Sequence, residues 1–136
     1  MKKSVVCSVL MFLAFPFALQ AQTSPATSYI VIFRPNRRIG SLGKFPVTID
    51  GRRAAKLANG SYFKLDVVSG EHILTVNPNR PPLRISVSPG DTAYIRARVV
   101  MAGFFKRAQM RLMLSDQREE KSALPKLKPL QKKFIY

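Results

Sequence analysis

The side chains that most often perform catalysis are nearly absent from this sequence. It contains one histidine, His72, and one cysteine, Cys7, among 136 residues. A Ser-His-Asp triad would have to use His72, which follows the turn-forming pair Ser69-Gly70 and alternates with Leu74. We therefore interpret His72 as a structural residue of a strand beside a turn. One His and one Cys cannot supply the ligands of a zinc site, so we predict no metal and no cofactor.

The acidic residues form no pair suited to general acid–base catalysis. The chain has only 7 Asp and Glu residues. Asp50 and Asp91 lie in turn-forming segments, where the turn itself accounts for an aspartate. Asp116, Glu119 and Glu120 fall on a short predicted surface helix. We therefore predict no catalytic residues, and a hydrolase, whose general base would be His72 or an acid, is the least favoured class.

Arginine, in contrast, recurs with the spacing of one face of a strand. Arg96 and Arg98 alternate with apolar residues and so point to the same side of a sheet. A three-residue turn at Pro89-Gly90-Asp91 would place Arg84 directly opposite Arg96, where like charges repel. The candidate binding residues on this face, which we call the arginine row, are Arg84, Arg96, Arg98 and Arg111, with Tyr94 beside them. The row predicts a platform for an acidic ligand, and the alternative is a solvated face whose charges prevent aggregation.

Two loops combine cations with features of a binding site. Arg37 and Arg38 precede the segment 40–43, whose glycines suit a backbone cradle for a phosphate or carboxylate. The alternative there is a flexible connection between strands. Phe104 and Phe105 are flanked by Lys and Arg. They predict either insertion of at least one ring into the core or a contact with a membrane or partner.

The N-terminal segment has the layout of a secretory signal peptide. Two lysines precede the apolar run Val5–Phe15, and small residues allow cleavage near Ala21-Gln22. The apolar run is shorter than the ~20 residues that a membrane span needs. We predict a signal peptide over residues 1–21 and a periplasmic or secreted protein. Because Leu19 is bulky for a cleavage site, an uncleaved anchor is the alternative.

Export changes the kind of partner that the net positive charge predicts. The chain has a formal net charge of +16, and all but two of these charges follow the signal peptide. In a cytoplasmic protein this excess would suggest nucleic acid, which we exclude for an exported one. An acidic envelope component or an acidic protein is the expected partner, and plain solubility is the alternative. Cys7 lies within the signal peptide, away from the position of a lipid-attachment cysteine.

The elements that must position these residues are short strands separated by turns. Tyr29–Phe33 is apolar throughout, which predicts a strand buried on both faces. Asp50-Gly51 predicts a tight hairpin, and Ala58-Asn59-Gly60 predicts another in which Leu57 pairs with Ser61. The residues predicted to share the core face around this turn are Ala55, Leu57, Phe63, Leu65 and Val67. About seven or eight such strands need a second layer, so we predict an all-β protein, a single antiparallel β-sandwich.

The domain organisation follows from these patterns. We predict a linker over 22–27, a β-sandwich domain over 28–115, and a short helix with a basic tail over 116–136. Ser115 or Asp116 suits the N-cap of the helix, and Pro125 ends it. The residues from Pro125 onward carry lysines without acids, which predicts a mobile tail.

The order of the turn motifs resembles a known family. The motifs are Val47–Gly51 (VTIDG), Leu57–Phe63 (LANGSYF), Ser69–His72 (SGEH) and Gly90–Arg96 (GDTAYIR). Over about Ser28–Lys128 the chain resembles the bacterial domain of unknown function 2846 family, and more distantly the PEGA-type modules of bacterial surface proteins. The resemblance implies an exported, non-catalytic envelope protein of small β-sandwich fold, often a lipoprotein. It implies no functional residues, because the shared motifs are turns and core, and the chain lacks the lipoprotein cysteine.

Two classes of function remain open from the sequence. The first is a module that binds an anionic envelope component or a protein. The second is a structural or assembly accessory protein whose sheet edge pairs with a strand of a partner. Salt distinguishes them, because ionic attraction weakens as ionic strength rises and strand pairing does not.

Overall fold

A computed structural model of the chain describes residues 26–38, 41–101 and 108–130. The predicted signal peptide, Gly40 and the Phe104-Phe105 loop lie outside the described residues. The strands are β1 (Ser28–Arg34), β2 (Phe45–Ile49), β3 (Arg52–Leu57), β4 (Ser61–Val67), β5 (Gly70–Thr75), β6 (Leu83–Val87), β7 (Thr92–Met101), β8 (Ala108–Leu114) and β9 (Lys128–Pro129). One helix, α1 (Gln117–Ala123), and a 3-10 turn (Leu124–Lys126) precede β9.

The strands form two sheets that pack face to face, which confirms the all-β sandwich. The five-stranded sheet has the order β8-β7-β1-β4-β9, and the four-stranded sheet has the order β3-β2-β5-β6. The predicted antiparallel arrangement holds for most pairs. It is wrong for two pairs, because β1 is parallel to β7 and β4 is parallel to β9. The five-stranded sheet is therefore mixed.

β1 lies at the centre of its sheet and is buried on both faces, as its apolar sequence predicts. Ile30 and Ile32 are fully buried between the two sheets, in the main core. Val31 and Phe33 alternate with them and are also buried, on the outer side of the sheet. The predicted core face around the β3–β4 turn is confirmed as well: Leu57 and Phe63 are buried, and Ala55, Leu65 and Val67 pack against the same core.

The turns reveal which strands are neighbours. Asp50 and Gly51 both have positive φ, 50° and 78°, and close the predicted hairpin between β2 and β3. The predicted pairing of Leu57 with Ser61 is wrong. Leu57 pairs with Phe45, because the 58–60 turn carries the chain from the four-stranded to the five-stranded sheet. A tight turn reverses the chain, and the partners available to each strand decide whether it closes a hairpin or crosses between sheets.

The segment after β8 begins with the predicted helix. The backbone of Asp116 is extended at the N-cap position of α1, and its side chain makes no capping hydrogen bond. At seven residues, α1 is far shorter than a membrane span, and no helix in the described ranges is long and apolar enough to be one.

The prediction of a mobile tail from Pro125 onward is wrong for the residues up to Leu130. Leu127 is buried, and the amide N–H of Lys128 donates to the carbonyl oxygen of Gly60 at 2.9 Å. The amide N–H of Leu130 donates to the carbonyl oxygen of Tyr62 at 2.8 Å. β9 thus runs parallel to β4 and covers backbone groups that an edge strand would leave unpaired. Residues 131–136 lie outside the described part of the chain.

Candidate functional site

A notch opens in the five-stranded sheet where β1 ends beside β7. The two strands pair from Tyr29 with Thr92 as far as Phe33 with Arg96. β7 continues to Met101, but β1 is followed by Pro35, which has no backbone N–H with which to extend the ladder. The chain leaves the sheet there, and β7 is left without its neighbour on that side.

Arginines dominate the wall of this notch. It is a cavity of about 80 Å³. Its lining residues, which define the notch, are Arg34, Pro35, Arg37, Arg96, Ala97, Arg98 and Val99. None of these residues is acidic. The structure thus brings Arg37 together with Arg96 and Arg98, which the sequence had placed in two separate candidate sites.

Arg34 is the residue that the sequence interpretation missed. It is only 2% exposed, and its Nη1 donates to the carbonyl oxygens of Gly43 at 2.7 Å and Leu57 at 3.3 Å. Its guanidinium also lies 5.2 Å from the centre of the Phe45 ring. Burial lowers the pKa of Arg34. The alternation of Arg34 with the buried Ile32 was the signal that it points inward.

Arg37 is held by the turn between β3 and β4. Its backbone N–H donates to Oδ1 of Asn59 at 3.0 Å, and Nδ2 of Asn59 donates to the carbonyl oxygen of Arg37 at 2.9 Å. The same Nδ2 donates to Oδ1 of Asn36 at 2.7 Å. Gly60, at φ +64°, lies against Asn36, so that an added Cβ would meet the Asn36 side chain at 3.4 Å. Asn59 therefore fixes the backbone of Arg37, whereas the side chain of Arg37 stays exposed.

The outer face of β7 carries part of the arginine row as predicted. Arg96 and Arg98 alternate with the buried Ile95 and Ala97. Arg98 lies directly opposite Arg111 of β8, as expected for the last strand. Arg96 is half-buried, whereas Arg98 and Arg111 are exposed.

Two candidates, Arg84 and Arg38, do not belong to this cluster. The predicted pairing of Arg84 with Arg96 is wrong, because β6 lies in the four-stranded sheet and Arg84 pairs there with Ile73. The Pro89-Gly90-Asp91 turn crosses between sheets instead of closing a hairpin. Arg38 is exposed in the loop after β1 and does not line the notch. Gly40 lies outside the described residues, so the predicted cradle is not described either.

Tyr94 occupies an acidic region instead of the arginine cluster. It lines a different cavity, together with Asp91 and Asp116. Burial raises the pKa of Tyr94, and the charges of Glu120 and Asp91 raise it further. Along the outer face of β7 the surroundings thus change from acidic at Tyr94 to basic at Arg96 and Arg98.

The presence of four arginine residues in the lining of one cavity has an electrostatic consequence. Like charges that share a small cavity repel one another, and an anion placed among them removes that repulsion. The planar guanidinium group binds carboxylate or phosphate oxygens in a bidentate manner. A cavity of this size admits one such group rather than a large ligand.

His72 has a structural environment. Its Nδ1 lies 2.7 Å from Oδ2 of Asp50, and its Nε2 lies 2.7 Å from the carbonyl oxygen of Val68. Both ring nitrogens are thus engaged, which leaves no lone pair for a substrate proton. Within residues 26–38, 41–101 and 108–130, no group of three or more His, Cys, Asp or Glu side chains is placed to hold a metal ion.

No family model, curated protein or solved structure matches the chain.

Proposed function

We propose that this protein is a non-catalytic exported module that binds an anionic component of the cell envelope through the notch. The observation that carries this proposal is the convergence of Arg34, Arg37, Arg96 and Arg98 on one small cavity without an acidic lining residue. Arg34 is anchored by hydrogen bonds of its side chain, and Arg37 is anchored by hydrogen bonds of its backbone. A site organised before the ligand arrives loses less entropy on binding.

The notch selects the chemistry of the ligand. A single carboxylate or phosphate group enters the cavity, and the remainder of the ligand extends over the exposed Arg98 and Arg111. This arrangement favours a polyanion with repeated acidic groups over an isolated small ion. The contacts of one acidic group inside the notch and the contacts of further acidic groups with the exposed arginines then both contribute to affinity.

The N-terminal sequence and the order of the motifs support the cellular setting. Residues 1–21 have the composition of a signal peptide, which supports a ligand in the periplasm or outside the cell. We also propose a relationship to the domain of unknown function 2846 family. It is supported by the fact that Asp50-Gly51, Asn59-Gly60 and Gly90 of the shared motifs lie in turns of the structure.

Two charge-matched double variants test the proposal. Arg37→Gln/Arg98→Gln removes two exposed guanidinium groups from the notch, and Arg53→Gln/Arg84→Gln removes two exposed ones from the four-stranded sheet. Polyphosphate and polygalacturonate serve as phosphate and carboxylate probes. We expect the notch variant to bind at least about tenfold more weakly, because a hydrogen bond to a charged group contributes roughly 1.5–3 kcal/mol.

The control variant is decisive because both variants have the same net charge. An equal loss of affinity in both would show that the charge acts without a site and would overturn the proposal. Binding to the wild-type protein should also weaken as salt rises through about 0.1 M, where the Debye length is about 10 Å.

The edge of β8, to which no described strand is paired, favours a second candidate, the pairing of a partner strand. β8 is the terminal strand of the five-stranded sheet, and its Met113 and Leu114 are 45% and 66% exposed. Arg111 is the one charged residue in this strand. An edge with so little charge suits strand addition. Salt-resistant binding of a protein that is lost on Met113→Lys, but retained on Met101→Lys, would support this function over the first.

A further inference from the structure

A second cavity lies at the edge of the sandwich, between β8 of one sheet and β5–β6 of the other. Its volume is about 310 Å³. Its lining residues, which define the edge cavity, are Leu74, Val76, Asn77, Arg80, Pro81, Pro82, Leu83, Met110, Arg111 and Leu112. It shares no lining residue with the notch. Arg111 contributes to both proposed sites, so they are separated by variants at Arg37 and Arg98 for the notch and by variants in the interior of the edge cavity.

The floor of the edge cavity is the hydrophobic core itself. Leu74 and Met110 are each 1% exposed, and Leu112 is 8% exposed. Val76 and Leu83 are partly buried and pack against the same core. The interior of the cavity thus offers hydrocarbon contacts and favours an apolar ligand group over water.

The rim of the edge cavity is cationic. Nε of Arg80 donates to Oε1 of Gln109 at 2.8 Å, and Nη2 of Arg80 donates to the same oxygen. This contact joins the β5–β6 loop to β8, so Arg80 is held at the mouth of the cavity. Arg111 of β8 is exposed at the same rim, and none of the described lining residues is acidic.

The proline residues keep the cavity open. The β5–β6 connection contains Pro78, Pro81 and Pro82, which cannot donate backbone hydrogen bonds to a neighbouring strand. β5 and β6 are paired only from Gly70–Val87 to Leu74–Leu83. The loop therefore leaves the ladder after the Leu74–Leu83 pair and does not extend the sheet over the gap.

We propose that the edge cavity binds an amphiphile with a single acyl chain and an anionic head. The chain lies against Leu74, Val76, Leu83, Met110 and Leu112, and the head is bound by Arg80 and Arg111. The combination of an apolar floor with a cationic rim specifies this class of ligand. The volume is about twice the 150 Å³ of an apolar cavity that accommodates benzene, so it holds a segment of hydrocarbon chain.

NMR of the methionine methyl groups tests the proposal directly on the wild-type protein. Dodecanoate and dodecyl phosphate, below the concentrations at which they form micelles, are the two probes. We expect the Met110 methyl resonance to shift and to saturate at one equivalent, while that of Met101, 60% exposed at the end of β7, stays in place. A shift with either probe supports the proposal, and the tighter of the two identifies a carboxylate or a phosphate as the preferred head. No shift of Met110 with either probe overturns it.

Controls separate the tail from the head. Butanoate, which has the charge but no long chain, should leave Met110 unchanged. Arg80→Gln/Arg111→Gln should weaken dodecanoate binding by about tenfold but leave the neutral dodecyl glucoside unaffected. Equal effects on both ligands would overturn the role of the cations.

Two further variants test the location. Val76→Phe fills the edge cavity and should abolish the Met110 shift, whereas Val68→Phe, at a residue 67% exposed, should not. The notch variant Arg37→Gln/Arg98→Gln should retain full dodecanoate binding. Loss of dodecanoate binding in the notch variant would assign the ligand to the notch and overturn this proposal.

Discussion

The imidazole of His72 connects two turns of the sandwich, because it contacts Asp50 in the β2–β3 turn and Val68 in the β4–β5 turn. Nδ1 lies 2.7 Å from Oδ2 of Asp50 in the β2–β3 turn, and Nε2 lies 2.7 Å from the carbonyl oxygen of Val68 before β5. The other carboxylate oxygen of Asp50 accepts the backbone N–H of Ile73 at 2.9 Å. Both atoms that face the ring are acceptors, and only a protonated imidazole has an N–H on each nitrogen. The geometry therefore favours the protonated form of the imidazole, in agreement with the raised pKa of His72.

Several effects on the pKa of His72 oppose one another. Burial lowers it, but the hydrogen bonds to Asp50 and Val68 and the negative charge of Asp50 together raise it above 6.5. The hydrogen bond from His72 lowers the pKa of Asp50, and that from Ile73 lowers it further. The ion pair thus contributes stability at neutral and mildly acidic pH.

Replacing Asp50 with Asn should lower the pKa of His72. Asn is tolerated at the positive φ of this position, but its neutral amide no longer favours the charged ring. Because the chain has one His, the imidazole resonance in an NMR titration is unambiguous. Asp91→Asn, in another turn, is the control. An unchanged pKa of His72 in Asp50→Asn would show that the ion pair is unimportant.

The free energy of unfolding should fall as the pH rises from about 5 to 8. Glu120 is 3% exposed, and its Oε1 has no hydrogen-bond partner among the described residues. Burial, together with the charge of Asp116, raises its pKa from 4.5 to about 7. The folded state therefore binds the Glu120 proton more tightly than the unfolded state does. Stability lost as this group ionises amounts to roughly 3 kcal/mol between about pH 4.5 and 7.

The titration of His72 changes the free energy of unfolding in the same direction as that of Glu120. The raised pKa of His72 contributes stability that is complete below pH 6.5 and is lost as the pH passes its folded pKa.

Chemical denaturation of Glu120→Gln as a function of pH should show a much flatter profile between pH 5 and 7 than the wild type. Glu71→Gln, at an exposed position of β5, should keep the wild-type profile. Parallel profiles for Glu120→Gln and the wild type would contradict the assignment.

Asn59→Ala should weaken ligand binding at the notch without unfolding the protein. The side chain of Asn59 makes three hydrogen bonds that hold Asn36 and Arg37, all near the surface. Without them Arg37 must be ordered when the ligand binds, at a cost of about 0.5–1.5 kcal/mol. We expect a two- to tenfold lower affinity for polyphosphate. Asn79→Ala, in the β5–β6 loop, should bind as the wild type does.

Leu127→Ala should destabilise the protein by about 2 kcal/mol, since the side chain is buried in the C-terminal segment. The neighbouring Lys126→Ala, at an exposed position, should have little effect. Urea unfolding of the two variants makes the comparison. Equal stability of both would indicate that the segment from Leu124 to Leu130 contributes nothing to the fold.

The local elements could be predicted because their signals are local. The continuous apolar run Tyr29–Phe33 predicted a strand buried on both faces, and β1 is that strand. The alternation of Leu57 and Phe63 with their neighbours predicted the core face, and both are buried. The Asp50-Gly51 pair predicted a hairpin, since few other residues adopt two consecutive positive φ angles.

The site was predicted in pieces but not as a whole. Arg37, Arg96 and Arg98 were identified as candidates, but two loops and strands far apart in sequence had to meet before they formed one cavity. Arg84 was assigned to the row because a Gly-containing turn resembles a hairpin, whereas this turn crosses to the other sheet. Arg34 was missed because charged residues are seldom fully buried.

The sequence by itself determined where the strands begin, where the chain turns and which side chains face the core. These properties depend on φ, ψ preferences and on a period of two residues, and both act within a few positions. Only the tertiary structure decided that β1 is parallel to β7, that β9 covers β4 and that Glu120 is buried. The neighbours of each strand depend on how the whole set of strands packs. The alternation of side chains along one strand predicts which face of the sheet each side chain lies on, but it does not predict which strand lies beside it.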